Sequence, residues 1–164
     1  MRWAWLWVCI LGLGLGAMAS NQQALRQSYL ETLSNPTHNS TLARLAQSQI
    51  SSSLGKAYYA TSLGFEARDS YWPATKYSKA QSAWAYFGKA VTQDPNNTEI
   101  RFLRFSFACS TPDFLDMKGQ LNTDAQFLVN HKAELDAHAL RSTMYAYFRQ
   151  CGCLSNQQRQ LLGL

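Results

Sequence analysis

Charge is scarce in this chain of 164 residues. Only 15% of positions are Asp, Glu, Lys or Arg, against the usual quarter or so. No run of four Lys/Arg occurs, so the net charge of +5 is dispersed. That argues against the clustered basic footprint of a nucleic-acid binder. Histidine is limited to His38, His131 and His138, with no His-x-x-x-His and no grouped Cys/His spacing. Metal-ligand spacing is therefore absent, and the three read as surface or capping residues. No pair of segments alternates apolar and polar residues as half-buried strands do. The length excludes a TIM barrel or a two-domain dehydrogenase. Aromatic residues, in contrast, are plentiful at 13% within 46% apolar positions. A chain with that much surface to bury is not a disordered tail.

The first 19 residues, MRWAWLWVCILGLGLGAMA, have the three parts of a secretory signal. Arg2 supplies a positive start, Trp3 to Gly16 carry no charge, and Ala17-Met18-Ala19 place small residues before a cleavage point. Cleavage is expected between Ala19 and Ser20. The apolar run is short for a membrane span of about 20 residues. Cys9 follows Val8, not a small residue, and makes a poor lipidation site. The Gly12-Leu13-Gly14-Leu15-Gly16 stretch lacks the spacing and the strand-turn-helix setting of a phosphate loop. Removal of the signal leaves a single domain, 20–164, of 145 residues with 14 basic and 10 acidic side chains. No stable membrane span is expected in that mature chain, and its expected location is periplasmic or secreted.

Helical periodicity dominates the mature chain and predicts an all-α fold. Leu25, Tyr29 and Leu33 recur every four residues, and Leu42, Leu45, Ala46 and Ile50 form a second stripe. Asn35-Pro36 ends the first segment, and Asn39 or Ser40 is suited to cap the next. Ser51-Ser52-Ser53 is a weak break. Tyr71-Trp72-Pro73 precedes a helix over 75–93 with Tyr77, Trp84, Phe87 and Val91 on its apolar side and Ala80, Ala83 and Ala90 alongside. Asp94-Pro95-Asn96-Asn97 is a turn and helix start. Ile100, Leu103 and Phe107 lie on one face of the following helix and Phe102 and Phe105 on another, the pattern of a mostly buried helix. Thr111-Pro112 stops it. A short helix over 124–130 follows. Asp136 is read as the cap of a helix carrying Leu140, Met144, Tyr147 and Cys151, with Gly152 as its left-handed C-cap. Ser155 and Gln158 have capping-box spacing for a last short helix.

Few residues point to chemistry. Ser53-Leu54-Gly55-Lys56 matches the Ser-x-x-Lys nucleophile pattern, but no Lys-Thr-Gly follows and 145 residues cannot build a penicillin-binding domain. Gly55 is expected at a helix packing contact instead. Cys109, Cys151 and Cys153 survive cleavage, and an exported protein meets an oxidising compartment. A structural bridge between Cys109 and Cys151 or Cys153, free buried thiols, and a redox pair at Cys151 and Cys153 all stay open. Arg101 and Arg104 are helix neighbours that could clamp an anion or pair with Glu66, Asp69 or another carboxylate. Of the two, Arg104 is expected to be structural and Arg101 the more solvent-facing. Asn39-Ser40-Thr41 and Asn96-Asn97-Thr98 match glycosylation sequons and serve equally as helix starts.

Leu54-Gly55 with Tyr58, and Ala83, Phe87 and Ala90 before Asp94-Pro95-Asn96-Asn97, together resemble the two halves of a tetratricopeptide (TPR) helix pair. The gap between the halves exceeds a standard repeat, and Arg104 stands where a second repeat prefers a small residue. Glu99 to Arg104, followed by Pro112-x-Phe114-Leu115 and an aromatic helix ending near Cys153, resembles a family of uncharacterised exported proteins of Bacteroidetes-type bacteria. The resemblance runs from about Tyr58 to the C-terminus. It implies a single bundle of stacked, TPR-like antiparallel helix pairs and a bacterial source, with no activity attached. In that register the groove side carries Lys56, Tyr59, Arg101 and Phe105. The expected function is a non-enzymatic protein- or peptide-binding module with no cofactor, no metal and no catalytic residue. The alternative is a small exported enzyme or thiol-redox protein using Cys151 and Cys153.

Overall fold

The computed structural model describes residues 6–164, with side chains from Ala19 onward. Met1 to Trp5, and the side chains of the expected signal up to Met18, Cys9 included, lie outside the described residues. The described chain is all-α. It forms helices α1 (Leu6–Ser34), α2 (Asn39–Ser48), α3 (Ser53–Asp69), α4 (Pro73–Gln93), α5 (Thr98–Ser110), α6 (Leu121–Asn130), α7 (Lys132–Ala137), α8 (Arg141–Gln150) and α9 (Asn156–Leu162). Two 3-10 turns, Pro36–His38 and Asp113–Leu115, lie between helices, and no strand occurs among the described residues. None of these helices is long and apolar enough to cross a membrane.

Local chemistry sets the boundaries. The serine triplet is a true break: α2 ends at Ser48, and the Ser52 side chain accepts from the Gly55 N–H to start α3. Pro73 occupies the first turn of α4, where its missing N–H is not needed. Asn97 caps α5 by accepting from the Ile100 N–H. The Ser155–Gln158 capping box forms in both directions at α9. Three expected caps do not form. The helix α2 continues from the 3-10 turn with no side-chain cap, and Asn39 sends its amide to the Ser62 carbonyl instead. Asp136 lies inside α7, where Lys132 and Tyr145 hold its carboxylate. The start of α8 is instead marked by the Leu140 N–H donating to His138 Nδ1. Gly152 is not left-handed; Cys151 ends α8 in extended backbone, and positive φ among the glycines falls at Gly163.

The helices α3 and α4 run antiparallel across a three-residue connection and share the most extensive packing of any pair. Buried Ala57, Ala60 and Ala67 on one helix and Ala80, Ala83 and Ala90 on the other lack the bulk that would hold the two apart. Helices α2 and α5 flank the pair, and α5 is enclosed. Ile100, Phe102, Leu103 and Phe105 are all buried, as two apolar faces require. Phe102 and Phe105 meet Tyr147 and Phe148 of α8 edge-to-face, with centroids 5.6–6.3 Å apart. Such contacts add to area burial by about 0.5–1.5 kcal/mol per pair. The described core begins at Leu25, so cleavage after Ala19 would remove none of it.

Candidate functional site: an aromatic cleft beside a disulfide

The four residues expected to share a groove are each engaged with, or covered by, another part of the chain. Lys56 donates to Gln93 Oε1 (2.7 Å) and to the Ser51 carbonyl. Tyr59 packs edge-on against Tyr86 at 4.9 Å. Phe105 is fully buried, because α8 closes over the face that the repeat register would leave open. Arg101 is not free either: it donates to Asp124 (2.9 Å) and the Pro95 carbonyl and lies over the Phe127 ring. Arg104 makes a two-pronged contact with the same carboxylate at 2.7 Å. Asp124, on α6 and wholly buried, is therefore the partner of both arginines. Glu66 and Asp69 are taken by Lys79 and Arg68. In the Ser-x-x-Lys stretch, Lys56 Nζ turns to the Ser51 carbonyl and Gln93.

A second polar knot was not foreseen. Glu99, in the first turn of α5, is only 2% exposed. Arg26 of α1 chelates it (2.6–3.1 Å), the Tyr58 hydroxyl donates to it, and His138 Nε2 stands 3.3 Å away. Burial alone would push the Glu99 carboxyl up. Hydrogen bonds from His138, Arg26 and Tyr58 outweigh that and hold it below the usual carboxylate range. The Tyr58 hydroxyl is pushed well up by burial and by the neighbouring carboxylate. This knot joins α1, α3, α5 and the α7–α8 connection, and it reads as a fastening. Its sequence signal was one acid in the first turn of an aromatic helix. His131 stacks on Phe127 and bonds its carbonyl, a capping role. No group of His, Cys, Asp and Glu able to hold a metal exists among the described residues.

Cys109 and Cys153 are joined by a disulfide, with Cα atoms 5.9 Å apart, and Cys151 is a half-buried free thiol. The bond ties the end of α5 to the α8–α9 connection across 44 residues of sequence. By loop-closure entropy such a link is worth about 4 kcal/mol.

Beside this bond lies a cleft of about 610 Å³. The helix α3 contributes Phe65 and Gly64, α4 contributes Tyr77, and α5 contributes Phe107. Ser110 at the end of α5 and Thr111, Pro112, Phe114 and Leu115 after it form the far wall. Its mouth is unusually greasy: Phe114 is 82% and Tyr77 54% exposed. Tyr77 and Leu33 belong to the apolar stripes of their helices, yet both stay about half exposed. Gly64 opens the floor, since a Cβ there would stand 3.0 Å from the Phe107 ring. The charged residues lining the cleft are Arg68 and Lys76, with no carboxylate among them. Arg68 is paired with Asp69; Lys76 has no carboxylate within ion-pair reach among the described residues. A shallower hollow of about 400 Å³ continues past Tyr29, Leu33 and Tyr147 toward Ala146 of α8. None of Lys56, Tyr59, Arg101 or Phe105 lines either space.

No family model, no curated protein and no solved structure matches this chain.

Proposed function

We propose that this is an exported, non-enzymatic helical protein, its helices stacked as TPR-like pairs, that binds an apolar peptide segment of a partner protein. The cleft between α3, α4 and the 110–115 segment carries the reading. An aromatic-lined concavity with Lys76 at its lip suits a segment that presents aromatic or aliphatic side chains beside an acidic one. The antiparallel α3–α4 pair and its small-residue contact support the repeat-like architecture. Export is supported by Arg2, the uncharged stretch to Gly16 and the Ala17-Met18-Ala19 site, and a disulfide is compatible with an oxidising compartment. The groove residues move accordingly, from Lys56, Tyr59, Arg101 and Phe105 to Phe65, Tyr77, Phe107 and Phe114.

The test is direct. An array of fluorescent 12-residue peptides, apolar-acidic, apolar-basic and polar, is titrated against the chain by anisotropy. Apolar-acidic peptides should bind best, and Tyr77→Ser with Phe114→Ser should weaken them at least tenfold. Equal binding by the double variant would remove the cleft from the function.

A further inference from the structure

The disulfide and the remaining thiol are close neighbours in sequence. Cys151 ends α8, and Cys153 is two residues on. Two residues of chain span at most about 7 Å, the upper end of the Cα range that a bridge accepts. Gly152 between them is exposed, and a Cβ there would meet nothing within 4 Å. The connection therefore has room to turn the Cys151 sulfur toward the bond. All three cysteines are half-buried, not sealed in the core. Arg159 adds a fixed positive charge: it donates to the Phe148 and Cys151 carbonyls, and the Cys151 thiol shares the Phe148 oxygen at 3.6 Å.

We propose that Cys109, Cys151 and Cys153 form a thiol–disulfide exchange site. The Cys151 thiol loses its proton, and its sulfur attacks Cys153 Sγ. The Cys151–Cys153 bond forms as the Cys109–Cys153 bond breaks. The electron pair leaves on Cys109 Sγ, which takes up a proton. One thiol and one disulfide are present before and after, so neither oxidant nor reductant is consumed. The exchange unties the end of α5. Ser110, Thr111 and Pro112, which follow Cys109 directly, line the cleft, so the bond's position alters the freedom of that wall. The exchange stands independently of any peptide in the cleft.

The experiment maps thiols in the full chain purified without reductant. One sample is acid-quenched at once, and another is held at pH 8 before quenching. Each is alkylated and its peptides are identified, with Cys9 read on its own peptide. The prompt sample should carry label at Cys151 and a Cys109–Cys153 link. The held sample should carry label at Cys109 at least tenfold above a Cys151→Ser control, together with a Cys151–Cys153 link inside one peptide. Label confined to Cys151 after incubation overturns the proposal. So does alkylation of all three cysteines without reduction, or label at Cys109 that scales with protein concentration, the mark of exchange between molecules.

Discussion

Gly55 and Gly88 are both helical glycines, yet the structure gives them opposite responses to the same substitution. Gly55 sits in the first turn of α3, folded back on the preceding turn. An added Cβ would fall 2.0 Å from the Gln49 carbonyl oxygen and 2.6 Å from its carbon. Ordinary contact begins near 3.4 Å, so the deficit exceeds an ångström. The obstacle is backbone, which cannot swing aside like a side-chain tip. A Cβ on Gly88, in α4, would meet nothing within 4 Å. Alanine gains about 1 kcal/mol over glycine in a helix interior. Gly88→Ala should therefore stabilise the protein by about 0.5–1 kcal/mol. Gly55→Ala has the same intrinsic gain but must displace the α2–α3 turn, and overpacking of this kind costs about 1–3 kcal/mol net. With a urea slope of about 2 kcal/mol per molar, its midpoint should fall by about 0.5–1.5 M while that of Gly88→Ala rises. Equilibrium unfolding followed by far-UV circular dichroism reads both. A Gly55→Ala midpoint at or above wild type would refute the close approach. The nearest contacts are with the turn before α3, so the dominant constraint on Gly55 is local.

Removing Asp124 as Asp124→Ala leaves two guanidiniums at a buried site. We expect a loss of about 3–5 kcal/mol in chemical denaturation, against under about 1 kcal/mol for Asp69→Ala, whose pair with Arg68 is exposed. Arg104→Ala should cost more than Arg101→Ala, because Arg104 gives the carboxylate two bonds from a more buried position. The depressed Glu99 carboxyl sets an acid limb: its contribution is fully present above the unfolded carboxylate pKa of about 4.3. It is lost as pH falls from there through the lower folded value. Unfolding midpoints of Glu99→Gln measured from pH 7 to pH 3 should therefore be flatter below pH 5 than wild type, and parallel curves would dismiss that role.

The helices that could be read from the chain were those whose local signals agreed. In α5, Asn97 offers a cap, Thr111-Pro112 a stop, and two apolar faces announce burial; all three hold. Where signals competed, the tertiary partner decided. Asp136 has the right chemistry for a cap, but Tyr145 reaches it from α8 while Lys132 stands four residues before it. Its oxygens are occupied there, and the Leu140 N–H turns to His138. Gly152 has the freedom of a left-handed cap without the need for it, because Arg159 satisfies the last carbonyls of α8 from the side.

The site was less legible, and for a physical reason. Periodicity tells which residues share a helix face, but not whether another helix arrives to cover that face. Phe105 and Tyr77 illustrate the two errors. The repeat register gives Phe105 to an open groove, yet the aromatic side of α8 seals it; the helical pattern gives Tyr77 to the apolar side of α4, yet it stands at the lip of a cleft. Arg101 and Arg104 posed the same difficulty in charge. Their spacing allowed an anion clamp, and the clamp exists, but its anion is the chain's own Asp124, twenty residues or more away. With those cations satisfied internally, positive charge beside the cleft comes to rest on Lys76 at its lip, carried by a stretch in which Tyr71 to Ser78 are all exposed. That exposed run, with Trp72 68% accessible, adds an apolar shelf next to the cleft. A bound segment could extend across it beyond the cleft's own length, so the surface to probe reaches from Phe114 past Tyr77 to Trp72.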